Sequence, residues 1–336
     1  MNRPDLSTTP DAVLAYIEYL EESLLALQAD EPHGRSSSAP PEPSEPPTPI
    51  HVISISQQGL AKRTPRHFYG RQRRGGMGNF DLETAEDDPP AHLVLADEAD
   101  ELLLITSFAR AFRLPVARLP QTEPRAKGQD LRELLEMHPK ERLITALAPH
   151  TAEYIVLLTP NGRLFARHRT YIRHGALLYD TSQNGAPTAA CWANPTDDIF
   201  VATMQGLASR FAAKQVPTNG NACLGIRLEE GDTAVAVTAV SETGGVFLLG
   251  ADGKGTVRLM AGFRANKSPG AGGKAALKTD KLVAAVATDE QSDLFIISRL
   301  GKLIRFSAAD IPAKEGLVQG VNCMSLRADE CTAVTT

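Results

Sequence analysis

Apolar and polar residues follow a pattern that recurs six times between residues 51 and 336. Each unit opens with an apolar strand, passes through a short turn that usually ends in glycine, and continues into a second strand with an early arginine. Runs of Val, Ile, Leu, Phe and Thr broken by Gly, Pro and Asn are typical of short strands in an all-β protein. The first strands are predicted at Val52–Ser56, Leu102–Thr106, Tyr154–Thr159, Ile199–Thr203, Val246–Leu249 and Leu294–Ser298.

The turn markers give the repeat its period. They are 50, 53, 44, 47 and 48 residues apart, at Gly59, Ala109, Gly162, Gly206, Gly253 and Gly301. This period fits one four-stranded blade, and a single blade cannot bury both faces of its sheet. The sequence therefore predicts a six-bladed β-propeller, whose radial closure leaves no long exposed sheet edge. The second unit lacks the turn glycine, and Ala109 is expected to strain its turn unless the turn type differs.

A different pattern precedes the repeats. Residues 10–29 predict a helix, because Thr9 suits the N-cap and Pro10 the first helical position. Five apolar residues follow heptad spacing on it, at Val13, Ile17, Leu20, Leu24 and Leu27. Two heptads are too short for a stable isolated helix. The helix is therefore expected to form a homodimer, to dock on a partner, or to pack against the body.

A linker joins this helix to the repeats. Seven of the twenty residues at 31–50 are proline and four are serine. Such a segment cannot bury enough apolar surface to fold, so we expect a disordered, semi-rigid linker that holds the helix at a distance from the body. The predicted organisation is a helix at 1–30, a linker at 31–50 and a propeller at 51–336.

The charge of the chain is unevenly distributed. The formal net charge is -5, but residues 1–50 alone carry -7, so the remaining 286 residues carry +2. This balance permits DNA binding through a local patch. No apolar run reaches the roughly 18 residues of a membrane helix, and no secretory signal is seen. The four cysteines lack metal-site spacing, so a cytoplasmic protein without metal or cofactor is expected.

The most cationic stretch lies in the first repeat. Between His51 and Phe80 there is no acidic residue, and residues 72–78 read Q-R-R-G-G-M-G. Three glycines in four residues leave backbone N–H groups unshielded. The arginines beside them carry planar, permanently charged groups that suit phosphate oxygens. The stretch therefore predicts a clamp for a nucleic-acid backbone.

This stretch resembles the box motif that opens the C-terminal domain of bacterial DNA gyrase A, in which Q-R-R-G-G is followed by a cation and then glycine. Met77 stands where that family carries the cation, so one phosphate contact is missing here. The resemblance covers about residues 51–336 and extends to the corresponding domain of topoisomerase IV. It implies a β-pinwheel, a propeller whose neighbouring blades exchange strands and which wraps duplex DNA around its rim.

An arginine also follows the turn marker in every repeat. Equivalent positions on equivalent blades share one radius and height, so six copies predict a ring of positive charge for DNA phosphates. The alternative is pairing with the acids before the first strands (Glu101, Glu153, Asp198 and Asp293). The predicted DNA-binding residues are Lys62, Arg63, Arg66, Arg71, Gln72, Arg73, Arg74, Gly75, Gly76, Gly78, Arg113, Arg167, Arg210, Arg258 and Arg305.

The chain shows no P-loop, and the family's breakage–reunion region with its DNA-cleaving tyrosine is not found in it. We therefore expect a stand-alone, non-enzymatic module that binds duplex DNA, is accessory to DNA topology and is nucleoid-associated. Its further expected partner is the catalytic part of a type IIA topoisomerase. Two alternatives stay open. One is a protein-interaction scaffold whose DNA face has decayed, and the other is the detached C-terminal part of a split type IIA topoisomerase subunit.

Overall fold

The computed structural model describes residues 9–29 and 45–336 of the chain. Its helices are α1 (Asp11–Ala29) and α2 (Thr181–Asn184). The first half of the strands comprises β1 (Ile50–Ser56), β2 (Leu60–Pro65), β3 (Asn79–Phe80), β4 (Pro90–Asp97), β5 (Glu101–Thr106), β6 (Arg110–Pro115), β7 (Gln129–Asp130), β8 (Leu143–Leu147), β9 (Tyr154–Leu158), β10 (Arg163–His168), β11 (Ala176–Leu177) and β12 (Ala189–Ala193). The second half comprises β13 (Asp198–Thr203), β14 (Leu207–Ala212), β15 (Cys223–Leu224), β16 (Ala234–Val240), β17 (Gly245–Gly250), β18 (Lys254–Leu259), β19 (Lys274–Ala275), β20 (Leu282–Thr288), β21 (Asp293–Ser298), β22 (Lys302–Ser307), β23 (Val321–Asn322) and β24 (Cys331–Thr335).

These strands form six four-stranded antiparallel sheets, here called blades 1 to 6 in chain order. The strand orders are β4-β1-β2-β7, β8-β5-β6-β11, β12-β9-β10-β15, β16-β13-β14-β19, β20-β17-β18-β23 and β24-β21-β22-β3. The first strand of each order contacts its counterparts in the neighbouring blades, so these six strands surround a central channel. The last strand, two residues long, therefore lies at the outer perimeter.

Each perimeter strand comes from the repeat that follows in sequence. Strand β7 of the second repeat pairs with β2 of the first, and the same step recurs around the ring. The ring closes because β3, from the first repeat, pairs with β22 of the last. The six-bladed β-pinwheel expected from the resemblance is confirmed.

At three of the turns, glycine allows the exchanged segment to approach closely. Gly162, Gly253 and Gly301 have φ between +74° and +81°, in the left-handed region. A Cβ on them would come within 2.5–2.6 Å of a carbonyl oxygen on the exchanged segment of the next repeat. Ala109 also lies in the left-handed region, at φ +53°, which costs roughly 1–2 kcal/mol for an L-residue. Its methyl group is fully buried between blades 2 and 3.

The hydrophobic core lies between blades rather than within them. Six buried clusters each combine residues of two neighbouring blades, including one that joins blade 6 to blade 1 through Val52, Tyr69 and Phe295. Because each sheet buries its faces against its neighbours, no blade is complete alone. Closure of the ring is therefore required to bury the terminal blades.

Helix α1 packs against the propeller, so the expectation that the linker holds it at a distance is wrong. Asp11 pairs with Arg299 at 3.1 Å, and the ring centroid of Tyr19 lies 5.7 Å from that of Phe80 on β3. Among the heptad positions, Val13 and Leu20 are exposed. The side chains of Leu24 and Leu27 lie outside the described residues.

The predicted linker lies outside the described residues as far as position 44. From Glu45 onwards the chain runs along the propeller, and the Glu45 carboxylate contacts Arg66 and Arg305 at 2.9 Å each. Within residues 9–29 and 45–336, no helix has the length and apolar character required to cross a membrane.

Candidate nucleic-acid interface

The glycine-rich box at 72–78 runs from blade 1 to blade 6 and fastens the two together. The Gln72 amide donates to the Arg305 carbonyl at 2.7 Å, and the Gly75 amide donates to the Cys323 carbonyl at 2.8 Å. Gly76 accepts from the Ser325 amide at 2.9 Å. Gly78 has φ +72°, and a Cβ there would lie 2.6 Å from the Leu303 carbonyl oxygen. These residues therefore hold the strand that closes the ring.

The box arginines differ in what they contact. Arg71 pairs with Asp293 at 2.8 Å, and Arg74 donates to the carbonyls of Asp310 and Asn322 at 2.9 and 3.2 Å. The Arg73 side chain is exposed and makes no hydrogen bond or ion pair with any described residue. Its guanidinium is thus fully available to a ligand.

Lys62 lies in the core, where no ligand reaches it. Its side chain is fully buried in an ion pair with the equally buried Asp81, whose carboxylate also accepts from the hydroxyls of Ser54 and Tyr69. Burial lowers the pKa of Lys62, and the Asp81 charge opposes that shift. The structure therefore corrects the placement of Lys62 on a DNA-contacting surface.

Most arginines of the predicted ring pair with side chains of the protein itself. Arg210 pairs with Asp198 at 2.7 Å, Arg305 with Asp293 at 2.7 Å, and the more exposed Arg113 with Glu101 at 2.9 Å. These are the partners that the alternative interpretation of the sequence named.

Arg63 follows the same principle with different partners. It contacts His51 and Glu98, both at 2.9 Å. In four repeats the ring arginine therefore faces a partner within the protein. Contact between these four arginines and DNA stays an untested prediction.

The same arginines also join each blade to the next. Arg63 donates to the Leu119 carbonyl at 3.0 Å and Arg113 to that of Ile172 at 3.2 Å. Arg210 reaches the Phe263 carbonyl at 3.1 Å and Arg305 that of Tyr69 at 3.0 Å. All four acceptors end a short 3-10 turn of the following repeat. The ring thus stabilises the packing of successive blades.

Two members of the ring depart from this arrangement. Arg167 is partly buried and donates to the Leu178 carbonyl. Arg258 is 6% exposed, and its Nε and Nη1 have no hydrogen-bond partner among the described residues. Within the described part of the chain, only four of the six ring arginines therefore bond both a side chain of their own blade and a carbonyl of the next blade.

Exposed cations are instead concentrated in the segments that lead from each second strand to the exchanged strand. We call these segments the perimeter connections; they are residues 66–78, 116–128, 169–175, 213–222, 260–273 and 308–320. Together they hold 13 Arg and Lys against 3 Asp and Glu, a net charge of +10. All 13 cations are exposed except the half-buried Arg66. The rest of 51–336 holds 20 cations and 28 anions, a net of -8.

The charge varies around the perimeter. The six connections carry +4, +2, +2, +1, +2 and -1 in chain order. Five consecutive connections therefore form a positive arc, interrupted at residues 308–320. The cations are Arg66, Arg71, Arg73, Arg74, Arg118, Arg125, Lys127, Arg169, Arg173, Lys214, Arg264, Lys267 and Lys314.

Of this arc, sequence reasoning assigned DNA contact only to the first connection, through Arg66, Arg71, Arg73 and Arg74. The sequence did contain a signal for the other connections: in every repeat, cations follow the second strand. Its importance depends on the strand exchange, which carries these segments to the outer perimeter. A spacing pattern alone does not place them there.

Glu45 adds a negative charge beside the box. Partial burial opposes its ionisation, but hydrogen bonds and charge from Arg305 and Arg66 lower the pKa of its carboxyl to about 2. The residue is therefore ionised at neutral pH and neutralises part of the charge of this blade. Elsewhere in the described residues, no group of three or more His, Cys, Asp and Glu side chains is placed to hold a metal ion.

Comparison with known proteins agrees with this architecture. The chain is 28% identical over 293 residues to the DNA gyrase A protein of Mycobacterium bovis (strain BCG / Pasteur 1173P2), covering 82% of this chain and 35% of that protein. It is 27% identical over 280 residues to the DNA gyrase A protein of Helicobacter pylori (strain J99 / ATCC 700824), covering 77% and 34%. The chain thus spans about a third of the length of the curated relatives it matches.

Two solved structures share the fold. The structure of a DNA gyrase A C-terminal domain superposes with a TM-score of 0.76 at 20% identity, covering 85% of this chain and 98% of that one. The C-terminal domain of a DNA topoisomerase IV superposes with a TM-score of 0.60 at 16% identity, covering 85% and 92%. The family model "DNA gyrase C-terminal domain, beta-propeller" matches residues 51–88, 100–147, 197–241 and 292–314. In sequence and in fold, the chain is therefore similar to the DNA gyrase A C-terminal β-propeller family.

Proposed function

We propose that this propeller binds duplex DNA along the positive arc of its perimeter connections and bends the duplex around the blades. The observation that carries the proposal is the net charge of +10 on these six segments, set against -8 on the rest of 51–336. Cations on a curved edge favour backbone contact with bent DNA, since each added contact offsets part of a bending cost of about 1–6 kcal/mol.

The path begins at the box. Arg73 contacts a phosphate directly, whereas Gln72, Gly75, Gly76 and Gly78 act by holding the closing strand. Residues 308–320, with their net charge of -1, separate the two ends of the path. The resulting module is non-catalytic and acts in DNA topology, in the bacterial cytoplasm, beside the catalytic part of a type IIA topoisomerase.

Salt-titrated binding to duplexes of two lengths tests the proposal. A duplex long enough to follow the whole perimeter binds more tightly than one that covers a single blade, and its affinity falls with salt at a slope of about -0.9 per phosphate contact. Arg73→Ala lowers that slope by about 0.9 without loss of stability. The control variant Arg142→Ala removes an exposed cation outside the perimeter connections and leaves the slope unchanged. Equal, weak binding to both lengths contradicts the proposal.

A second function is favoured by one observation on α1. Val13 and Leu20 are exposed on a helix that packs on the propeller through Tyr16 and Tyr19. Such a stripe suits a protein partner, so the propeller also serves as a docking module. Deletion of residues 10–29 removes that partner in a pull-down and leaves DNA affinity unchanged. A full set of partners after the deletion contradicts this second function.

A further inference from the structure

Four of the six ring arginines follow one register rule, and the fifth repeat lacks the partner side chain that this rule requires. Each ring arginine pairs across the hairpin with a residue of the first strand, and its side-chain partner usually lies two residues before that one. Arg210 opposes Phe200 and bonds Asp198, while Arg305 opposes Phe295 and bonds Asp293. In blade 5, Arg258 opposes Val246, and the position two residues earlier is Gly244. The partner side chain is therefore absent.

Arg258 also lacks the carbonyl contact that joins blades elsewhere. No described carbonyl accepts from its Nε or Nη1, although the residue is 6% exposed. Its guanidinium carbon lies 5.5 Å from the centroid of the Phe263 ring. A second cation, the Lys274 ammonium, approaches the same ring at 5.8 Å. Both cations thus lie near one aromatic ring, and no ion pair of Arg258 with a described carboxylate accompanies them.

The position that lacks the side chain borders an exposed turn. Gly244 is half-buried and follows the exposed residues Ser241, Glu242 and Thr243. The nearest atom to a Cβ built on Gly244 is the Ser241 hydroxyl, at 3.0 Å. In blades 4 and 6 this is the place from which a carboxylate reaches the arginine. In blade 5 no side chain extends from this position toward Arg258, so a ligand could contact the arginine there.

We propose that Arg258 binds a phosphate oxyanion, which takes the place of the carboxylate that other repeats supply. A guanidinium presents paired N–H donors that match phosphate oxygens, and burial increases the strength of each charge-assisted bond. The phosphate belongs either to the DNA backbone or to a free phosphate compound. The site does not depend on the proposed DNA wrapping, because inorganic phosphate alone can occupy it.

Two substitutions in the full chain test the site. Arg258→Met removes the donor and also the unpaired buried charge, so the protein is expected to fold. Gly244→Asp supplies the missing carboxylate and fills the site from within. Melting temperature is followed with inorganic phosphate and with chloride at equal ionic strength, because a ligand of the folded state raises it with concentration. Phosphate raises the melting temperature of the natural chain and of Arg73→Ala but of neither site variant.

Duplex binding identifies the source of the phosphate. If the ligand is the DNA backbone, both site variants lower the salt slope on a long duplex by about 0.9. If it is a free phosphate compound, the slope is unchanged while the phosphate effect on melting is lost. The absence of a phosphate effect on the natural chain, together with unchanged slopes in both variants, overturns the proposal. If the natural chain does not bind DNA at all, only the proposed wrapping function is contradicted. The effect of phosphate on the melting temperature still tests whether Arg258 binds phosphate.

Discussion

The close approach at the turn glycines allows a quantitative test of strand exchange. Gly253 has φ +76°, and a Cβ there would lie 2.6 Å from the Met324 carbonyl oxygen and 3.0 Å from a methyl group of Leu326. Gly231 lies in a turn with a similar φ of +78°, but no atom lies within 4 Å of its Cβ position. Alanine at either residue meets the strain of a positive φ, so the difference between the two variants isolates the contact with the exchanged segment.

The expected loss of stability in each variant follows from the backbone strain and from the hydrogen bonds that are weakened. Left-handed strain costs an L-residue roughly 1–2 kcal/mol, and the gain from a stiffer unfolded chain offsets about 0.4–1 kcal/mol of it. Gly231→Ala is therefore expected to cost about 1 kcal/mol. At Gly253 the clash displaces Met324 and weakens two bonds, because the Cys323 and Met324 amides donate to the Gly253 carbonyl at 2.9 and 3.3 Å. At about 1 kcal/mol each, these losses bring Gly253→Ala to about 3 kcal/mol.

Urea unfolding of the two variants measures this difference, and hydrogen exchange locates it. The free energy of unfolding should fall by about 2 kcal/mol more for Gly253→Ala than for Gly231→Ala. Faster exchange is expected at the Cys323 and Met324 amides in the first variant only. If both variants lose the same stability within about 0.5 kcal/mol, the turn glycine is not required by the exchanged segment and our account of the repeat is wrong.

Three further predictions concern buried or paired charges. Lys62→Met should lower the free energy of unfolding by about 3–5 kcal/mol, because it leaves Asp81 uncompensated in the core; a lower DNA salt slope with unchanged stability would instead place Lys62 on the binding surface. Burial lowers the pKa of His92 to about 4 from 6.5, so the unfolded state binds more protons and stability should fall as pH drops from 6.5 to about 4. Urea titration of His92→Gln should show a flatter profile over that range, and an unchanged profile would refute the assignment. Glu45→Gln should raise DNA affinity about twofold at low salt and not at high salt, as measured by the same titration; a salt-independent change would exclude a charge effect.

The helix illustrates the boundary between local and tertiary information. Capping residues and heptad spacing predicted a helix over 10–29, and α1 spans Asp11–Ala29. The same spacing left three destinations open for it. Its packing on β3 depends on Phe80, which reaches the last blade only because the ring closes there. No pattern within the helix contains that information.

The sequence by itself determined the six repeats, the positions of the first strands and the residues at the tight turns. Those features arise from local preferences: short runs of Val, Ile, Leu and Phe favour strands, and left-handed turns favour glycine. Tertiary structure decided which cations face solvent. A ring arginine and a perimeter cation look alike in sequence, but Arg210 finds Asp198 across its own hairpin and a carbonyl on the next blade. The Arg73 side chain has neither kind of partner among the described residues, because it lies exposed in the connection between blades 1 and 6. Exposure of a charge depends on partners far away in the chain, and only the closed ring brings those partners together.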